Sequence, residues 1–348
     1  EERRTEIIED FTSLSIEDMI AEEEMVLTIT HNGYIKRTSL STYRSQRRGG
    51  RGVQGASSRE EDFVEHLFVA NTHSYILFFT DKGKCYWVKV YDIPEGGRAA
   101  KGRAIVNLIG CEPDEKVSAF ISVKEFHEDH FVVMATEKGI VKKTKLSAYS
   151  NPRKKGIYAV EIRDGDRLIE ARVSTGDNDI LLGTRNGKSI RFSEEQIRPS
   201  GRKTMGVKGI TLSSEDDRLV GMLLIKREGT TVLVATEKGF GKRTEISQYR
   251  AQKRGGKGVL TMKTTEKVGK MVTIKEVVDK DDLMIITNQG VLIRQPVAQI
   301  RAIGRATQGV KLIKLGEGTL VSSITRIMTE EEKKEDGEES NSEKPSEG

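Results

Sequence analysis

Apolar residues in this chain gather in short runs that end in threonine and are closed, after two mostly polar residues, by a glycine. The pattern returns six times: MVLTITHNG ends at Gly33, YILFFTDKG at Gly83, FVVMATEKG at Gly139, DILLGTRNG at Gly187, TVLVATEKG at Gly239 and DLMIITNQG at Gly290, with spacings of 50, 56, 48, 52 and 51 residues. Runs rich in β-branched and aromatic residues around an Asn-Gly or Lys-Gly turn predict β-hairpins. A second glycine follows each hairpin, at Gly52, Gly102, Gly156, Gly206, Gly258 and Gly309, 17 to 19 residues past the first. Then comes an acidic turn and an alternating stretch such as EDFVEHLFVA, DEKVSAFISV or GDRLIEARVS. Period-two alternation fits a strand with one buried face.

Six units of about 50 residues with roughly four strands each predict an all-β, propeller-like array, in which radial repetition protects the sheet edges. A linear β-solenoid is the structural competitor. The first hairpin has no alternating strand before it, and the last such strand, from Gly316 to Met328, has no hairpin after it. The C-terminal strand is therefore expected to complete the first unit and close a ring.

Charge sharpens this picture. The chain has 348 residues, 36% hydrophobic and 32% charged, with a formal net charge of +5. Residues 1–24 carry −8 and residues 330–348 carry −6, which leaves +19 on the repeats between them. A folded body of that charge attracts polyanions, and nucleic acid is the usual one. The acidic tail, 329–348, reads as disordered, and its charge could compete with a polyanion for the basic body. No apolar run is long enough to cross a bilayer, and the chain reads as soluble and cytoplasmic.

The cations are placed with the same period. The loops that end at the second glycine read QRRGGRG, EGGRAAKG, SNPRKKG, SGRKTMG, QKRGGKG and IGRATQG. The first of them, Gln46, Arg47, Arg48, Gly49, Gly50, Arg51 and Gly52, puts three planar guanidinium forks, suited to phosphate oxygens, on a chain that glycine lets approach closely. A single such loop reads equally well as a solvated basic turn; recurrence is what favours a phosphate clamp. Arg44 precedes it, and the other loops add Arg98, Lys101, Arg103, Arg153, Lys154, Lys155, Arg202, Lys203, Lys253, Arg254, Lys257 and Arg305. Four residues past each hairpin glycine stand Arg37, Trp87, Lys143, Arg191, Arg243 and Arg294, and Lys36, Lys142 and Lys242 precede three of these. Equivalent positions in a radial array share a rim, so a band of positive charge suited to a long, curved polyanion is expected. Solubility and edge protection also favour exposed Lys and Arg, yet acidic residues would serve those ends and are nearly absent from these sites. Aromatic residues are 5% of the chain and sit mainly inside apolar strands, which argues against stacking on single-stranded bases.

Catalytic patterns are missing from the sequence. Cys85 and Cys111 stand apart from any metal-ligand motif and read as core residues; His31, His66, His73, His127 and His130 have no metal spacing, and no GxxxxGK[ST] loop occurs. No metal or cofactor is expected.

The heptamer QRRGGRG followed by six hairpin repeats resembles the C-terminal domain of the A subunit of bacterial DNA gyrase, where such a heptamer is called the gyrase box. The resemblance covers residues 25–328; residues 1–24 look like a linker and the end of the preceding region. It implies a six-bladed β-pinwheel, a propeller relative that exchanges strands between blades. It also implies sequence-independent binding of double-stranded DNA, bent around the basic rim in a positive chiral wrap with the box at its centre. Partners implied are the A subunit's N-terminal cleavage domain and the gyrase B subunit, with the isolated domain a monomer and no enzyme by itself. The topoisomerase IV paralogue is similar but has a degenerate or missing box, and a propeller serving as a protein interaction scaffold is the reading from another class. The second near-copy, QKRGGKG at 252–258, departs from the single-box pattern.

Overall fold

The computed structural model describes residues 16–39, 64–97, 100–225, 229–289 and 292–327. The loop 46–52, Arg44, Arg98 and the tail 329–348 lie outside the described residues.

Each repeat begins with a hairpin, and the recurring threonine explains its turn. The glycine amide donates to the threonine carbonyl, at 2.9 Å for Gly33 to Thr30 and 3.0 Å for Gly187 to Thr184. The threonine Oγ1 accepts from the amide just past the glycine, as in Lys84 to Thr80 at 3.3 Å and Ile140 to Thr136 at 3.2 Å. At the same threonine the register against the third strand slips by one residue in every unit, a bulge that bends the strand there.

The hairpins are Glu24–Thr30 with Tyr34–Ser39, Tyr75–Thr80 with Lys84–Lys89, Phe131–Thr136 with Ile140–Lys145, Asp179–Thr184 with Lys188–Ser193, Thr231–Thr236 with Phe240–Glu245, and Asp282–Thr287 with Leu292–Pro296. Each alternating strand pairs with the first strand of the hairpin that precedes it: Val64–Asn71, Val117–Val123, Leu168–Ser174, Leu219–Ile225, Met271–Val277 and Val321–Ile327. Each unit is thus a blade in its own right, and the expectation that the C-terminal strand completes the first unit is corrected. Val321–Ile327 pairs with Asp282–Thr287 and completes the sixth blade.

Strand exchange runs through short segments just past the second glycine. Arg103–Ala104, Ile157–Tyr158, Val207–Lys208, Val259–Leu260 and Val310–Lys311 each pair with the second hairpin strand of the blade before their own. Five sheets thereby have four strands, ordered third, first, second and donated; in the sixth, three are described. The third strands touch one another from the second blade round to the sixth, and Val321–Ile327 meets Val64–Asn71, so the ring closes around them. The donated pairs therefore form the outer edge, and the loops leading into them lie on the perimeter.

Apolar cores lie between blades. Leu77, Phe79 and Cys85 of the second blade pack with Val132, Met134 and Tyr149 of the third, and four similar clusters fill the other described joints. This is why the first strands read as continuous apolar runs: a strand sandwiched between two blades is buried on both faces.

The segment before the first hairpin is also docked. His73 Nε2 meets the Ile20 carbonyl at 2.9 Å, Thr72 donates to the Ala21 carbonyl at 2.8 Å, and Lys89 pairs with Glu17 at 2.6 Å.

Candidate nucleic-acid interface

The strand cations face the joints between blades. Arg37 donates from Nε to the Ile93 carbonyl at 2.7 Å, Arg191 to the carbonyls of Ile246 and Tyr249 at 3.3 and 3.2 Å, and Arg243 from Nε to the Ile300 carbonyl at 2.7 Å. Lys143 pairs with the buried Glu194 at 2.8 Å. Each of these acceptors belongs to the short 3-10 turn of the following blade, or to the residue that ends it, while Arg191 and Arg243 also pair with Asp179 and Asp279 and Lys143 also donates to the Gly176 carbonyl. Trp87 obeys the same rule, with Nε1 donating to the Tyr149 carbonyl at 2.8 Å. What the position requires is a long side chain with an N–H, which both arginine and tryptophan supply. Arg294, in the last blade, pairs with Asp282 of its own hairpin, as Arg191 does with Asp179, and is 65% exposed.

Lys36, Lys142 and Lys242 are enclosed more tightly. Lys36 Nζ donates to the carbonyls of Gly97 and Ala100 at 3.0 and 2.9 Å. Lys142, 1% exposed, donates to Ala159 at 2.7 Å and to the Arg202 carbonyl. Lys242, wholly buried, donates to Gly304 at 2.7 Å, to Arg305 and to Thr307 Oγ1 at 3.1 Å. Burial, helped by the Arg202 guanidinium, lowers the Lys142 ammonium to about 8; burial and Arg305 lower Lys242 to about 8. The expectation that strand cations stand on an exposed band is therefore corrected for Lys36, Arg37, Lys142, Lys143, Arg191, Lys242 and Arg243. Their charge sits in the seams of the ring, satisfied by carbonyls and carboxylates.

The perimeter loops hold the exposed charge. Lys101, Arg103, Arg153, Lys154, Lys155, Lys203, Lys253 and Lys257 are exposed, whereas Arg202, Arg254 and Arg305 are half-buried. Arg305 donates to the Leu260 carbonyl at 3.1 Å. In the box-like loop 252–258, Arg254 is a structural pin: its amide donates to Gln196 Oε1 at 2.9 Å, its Nε to the Gln196 carbonyl and its guanidinium to the Lys208 carbonyl, both at 3.0 Å. Gln196 is a supporting position that sequence reading missed, and no local signal marks it, because it lies 58 residues from its partner. Gly258 closes the loop with φ of 69°, and a Cβ there would stand 2.3 Å from the Ser189 carbonyl oxygen. The second glycine recurs because the loop must cross so close to the neighbouring strand.

Inside the ring, a cavity of about 190 Å³ is lined by His66, Arg172, Leu224, Lys275, Glu276 and Arg326, among others. Arg172 and Arg326 are partnered there by Glu170 and Asp281. Among the described residues no group of three or more His, Cys, Asp or Glu could hold a metal ion, and no helix is long and apolar enough to cross a membrane.

Closed ring, exchanged edge strands and a basic perimeter define a six-bladed β-propeller of the pinwheel kind. The chain belongs to the family described as the DNA gyrase C-terminal domain, beta-propeller, whose profile matches residues 24–71, 74–124, 130–175, 178–226, 230–277 and 281–327, one match per blade. It is 48% identical to the A subunit of DNA gyrase from Staphylococcus epidermidis over 95% of its length, and 47% identical to that from Staphylococcus aureus over 99%. It spans little more than a third of these relatives, 37% and 39% respectively. Among solved structures it is similar to the C-terminal domain of a DNA topoisomerase IV, with a TM-score of 0.80 and 25% identity, covering 93% of this chain and all of the other. A DNA gyrase A C-terminal domain shares the fold, with a TM-score of 0.69 and 23% identity over 88% of this chain and all of the other.

Proposed function

We propose that this chain is a non-catalytic DNA-wrapping domain, which bends double-stranded DNA around its outer perimeter in a positive sense so that a gyrase holoenzyme introduces negative supercoils in the cytoplasm. It acts with the A subunit's cleavage domain and with the B subunit, neither of which it replaces. The observation that carries this reading is the placement of exposed cations on successive perimeter loops, from Lys101 and Arg103 through 153–155 and Lys203 to Lys253 and Lys257. Contact at loops that step around a ring suits the phosphate backbone, which is read by position and shape with little base contact. The loop 46–52, with three arginines in seven residues, is the strongest phosphate clamp in the sequence. An intact heptamer and relatives at 48% identity favour gyrase over the topoisomerase IV paralogue.

Nicked circular DNA sealed while bound to the chain tests this directly. A positive linking-number shift that disappears when Arg47, Arg48 and Arg51 are all changed to alanine supports chiral wrapping centred on that loop. Tight binding with no shift in either protein sinks the wrapping reading and leaves a domain that holds DNA without winding it. Absence of any affinity for duplex DNA would turn attention to an acidic protein partner.

A further inference from the structure

The five described perimeter loops are of two kinds that alternate from blade to blade, and the difference lies in what each rests upon. Three residues past the hairpin glycine, the second strand carries Lys36, Tyr86, Lys142, Ile190, Lys242 and Ile293 in blade order. At the three lysines the ammonium grips carbonyls of the overlying loop: Gly97 and Ala100, Arg202, then Gly304 and Arg305. The loops between them sit on apolar side chains, with Gly156 packed on the Tyr86 ring and Gly256 over Ile190.

Exposed charge is denser, taken together, on the apolar-seated loops, although Arg103, just past the loop gripped by Lys36, is exposed as well. Loop 151–156, over Tyr86, exposes Arg153, Lys154 and Lys155, and loop 252–258, over Ile190, exposes Lys253 and Lys257. On the gripped loops, Arg202 and Arg305 are half-buried and Lys203 is the exposed cation between residues 200 and 206. Lys101, on the loop gripped by Lys36, lies over the Tyr34 ring at 4.0 Å, a cation–π contact that draws it back toward the protein. A loop held by a buried ammonium has its own carbonyls turned inward and its fold fixed. The loops on apolar seats leave Arg153, Lys154 and Lys155 at 151–156, and Lys253 and Lys257 at 252–258, exposed, with Arg254 turned in to pin the second of them.

Building on the DNA-wrapping reading, we propose that loops 151–156 and 252–258, on alternate seats of the ring, are the principal phosphate-contact points for duplex DNA, while the lysine-gripped loops between them contribute weaker contacts. The duplex then presses closest on this part of the perimeter at every second blade. Within loop 252–258 the contacts come from Lys253 and Lys257, and Arg254 is a positioning residue that holds the loop to Gln196 and Lys208.

Salt dependence distinguishes contacts from general attraction, because each phosphate neutralised contributes about 0.9 to the slope of log K against log salt on duplex DNA. Affinity of the full chain for a fluorescent duplex would be measured across a potassium chloride series for three variants that each lose two exposed charges: K253A/K257A, K154A/K155A and K101A/K203A. The first two are expected to lower the slope by about 1.8 each, and the third by less than half as much. Equal falls in all three would overturn the alternation while leaving DNA binding intact. A flat salt dependence in the unmodified chain would sink the wrapping reading itself, and this proposal with it.

Discussion

Trp87 shows what one position in the repeat is for. Its neighbours in the series are arginine or lysine, and charge is the property they share; the indole has none. The common chemistry is an N–H delivered across the seam to a backbone oxygen, and the Tyr149 oxygen that Trp87 serves belongs to a residue with no exposed surface. A buried carbonyl left without a donor costs about 1–3 kcal/mol. Trp87→Phe keeps most of the aromatic contact and removes the donor, so it should lower unfolding stability by about that amount. Trp87→Arg, which restores an N–H of similar reach, should recover part of the loss. Urea unfolding followed by circular dichroism measures both, a suitable probe because the chain has a single tryptophan. Equal stability of Trp87→Phe and the unmodified chain would mean that packing alone sets this position.

At the scale of strand and loop, Lys142 and Lys242 join the second strand of one blade to the perimeter loop of the next, and this joint is sensitive to pH. Both ammonium groups are lowered to about 8 in the folded protein, chiefly by burial, against 10.5 when exposed. Below pH 8 both folded and unfolded chains hold these protons, and the fold bears the cost of enclosed charge. Between about 8 and 10.5 the unfolded chain binds more protons than the native one, so stability contributed by these residues rises with pH. Comparing urea midpoints at pH 7.5 and 9.5, the unmodified chain should gain on the double variant K142M/K242M, in which the titration is absent. A constant difference between the two would show that the surrounding carbonyls keep the ammonium groups charged throughout. These joints also show where sequence reading stops. The hairpins, their number and the all-β class follow from apolar runs, threonines and glycines, because those features act over a few residues. Assignment of each alternating strand to the hairpin before it or after it does not follow, since a cyclic repeat has the same period in either phase. Likewise Lys242 and Lys253 are both lysines in basic stretches. Only the seam between blades, formed by residues about 60 apart, separates the buried one from the exposed one.

The whole ring has no single core, and its stability should be divided accordingly. Five described apolar clusters each join two neighbouring blades, and a further contact between Val321–Ile327 and Val64–Asn71 closes the circle. Arrays built this way behave as a sum of units and nearest-neighbour interfaces, and they can open locally. The C-terminal strand takes part in two of these features. It pairs along Asp282–Thr287, and through Val321 and Ile324 it fills the cluster between the fifth and sixth blades. Ending the chain after Gly318 removes both, exposes a long unpaired strand edge and frees the first blade from its neighbour. Native-state hydrogen exchange should then show protection lost at the hairpin 282–296, reduced in the fifth and first blades, and retained in Phe131–Thr136 and Asp179–Thr184, whose clusters the deletion does not reach. Uniform loss of protection in all six blades would mean instead that the ring folds as one cooperative unit, with closure as its condition. Retention in the middle blades would make closure a local event, and would allow the seam between the sixth and first blades to open while the rest of the perimeter keeps its shape.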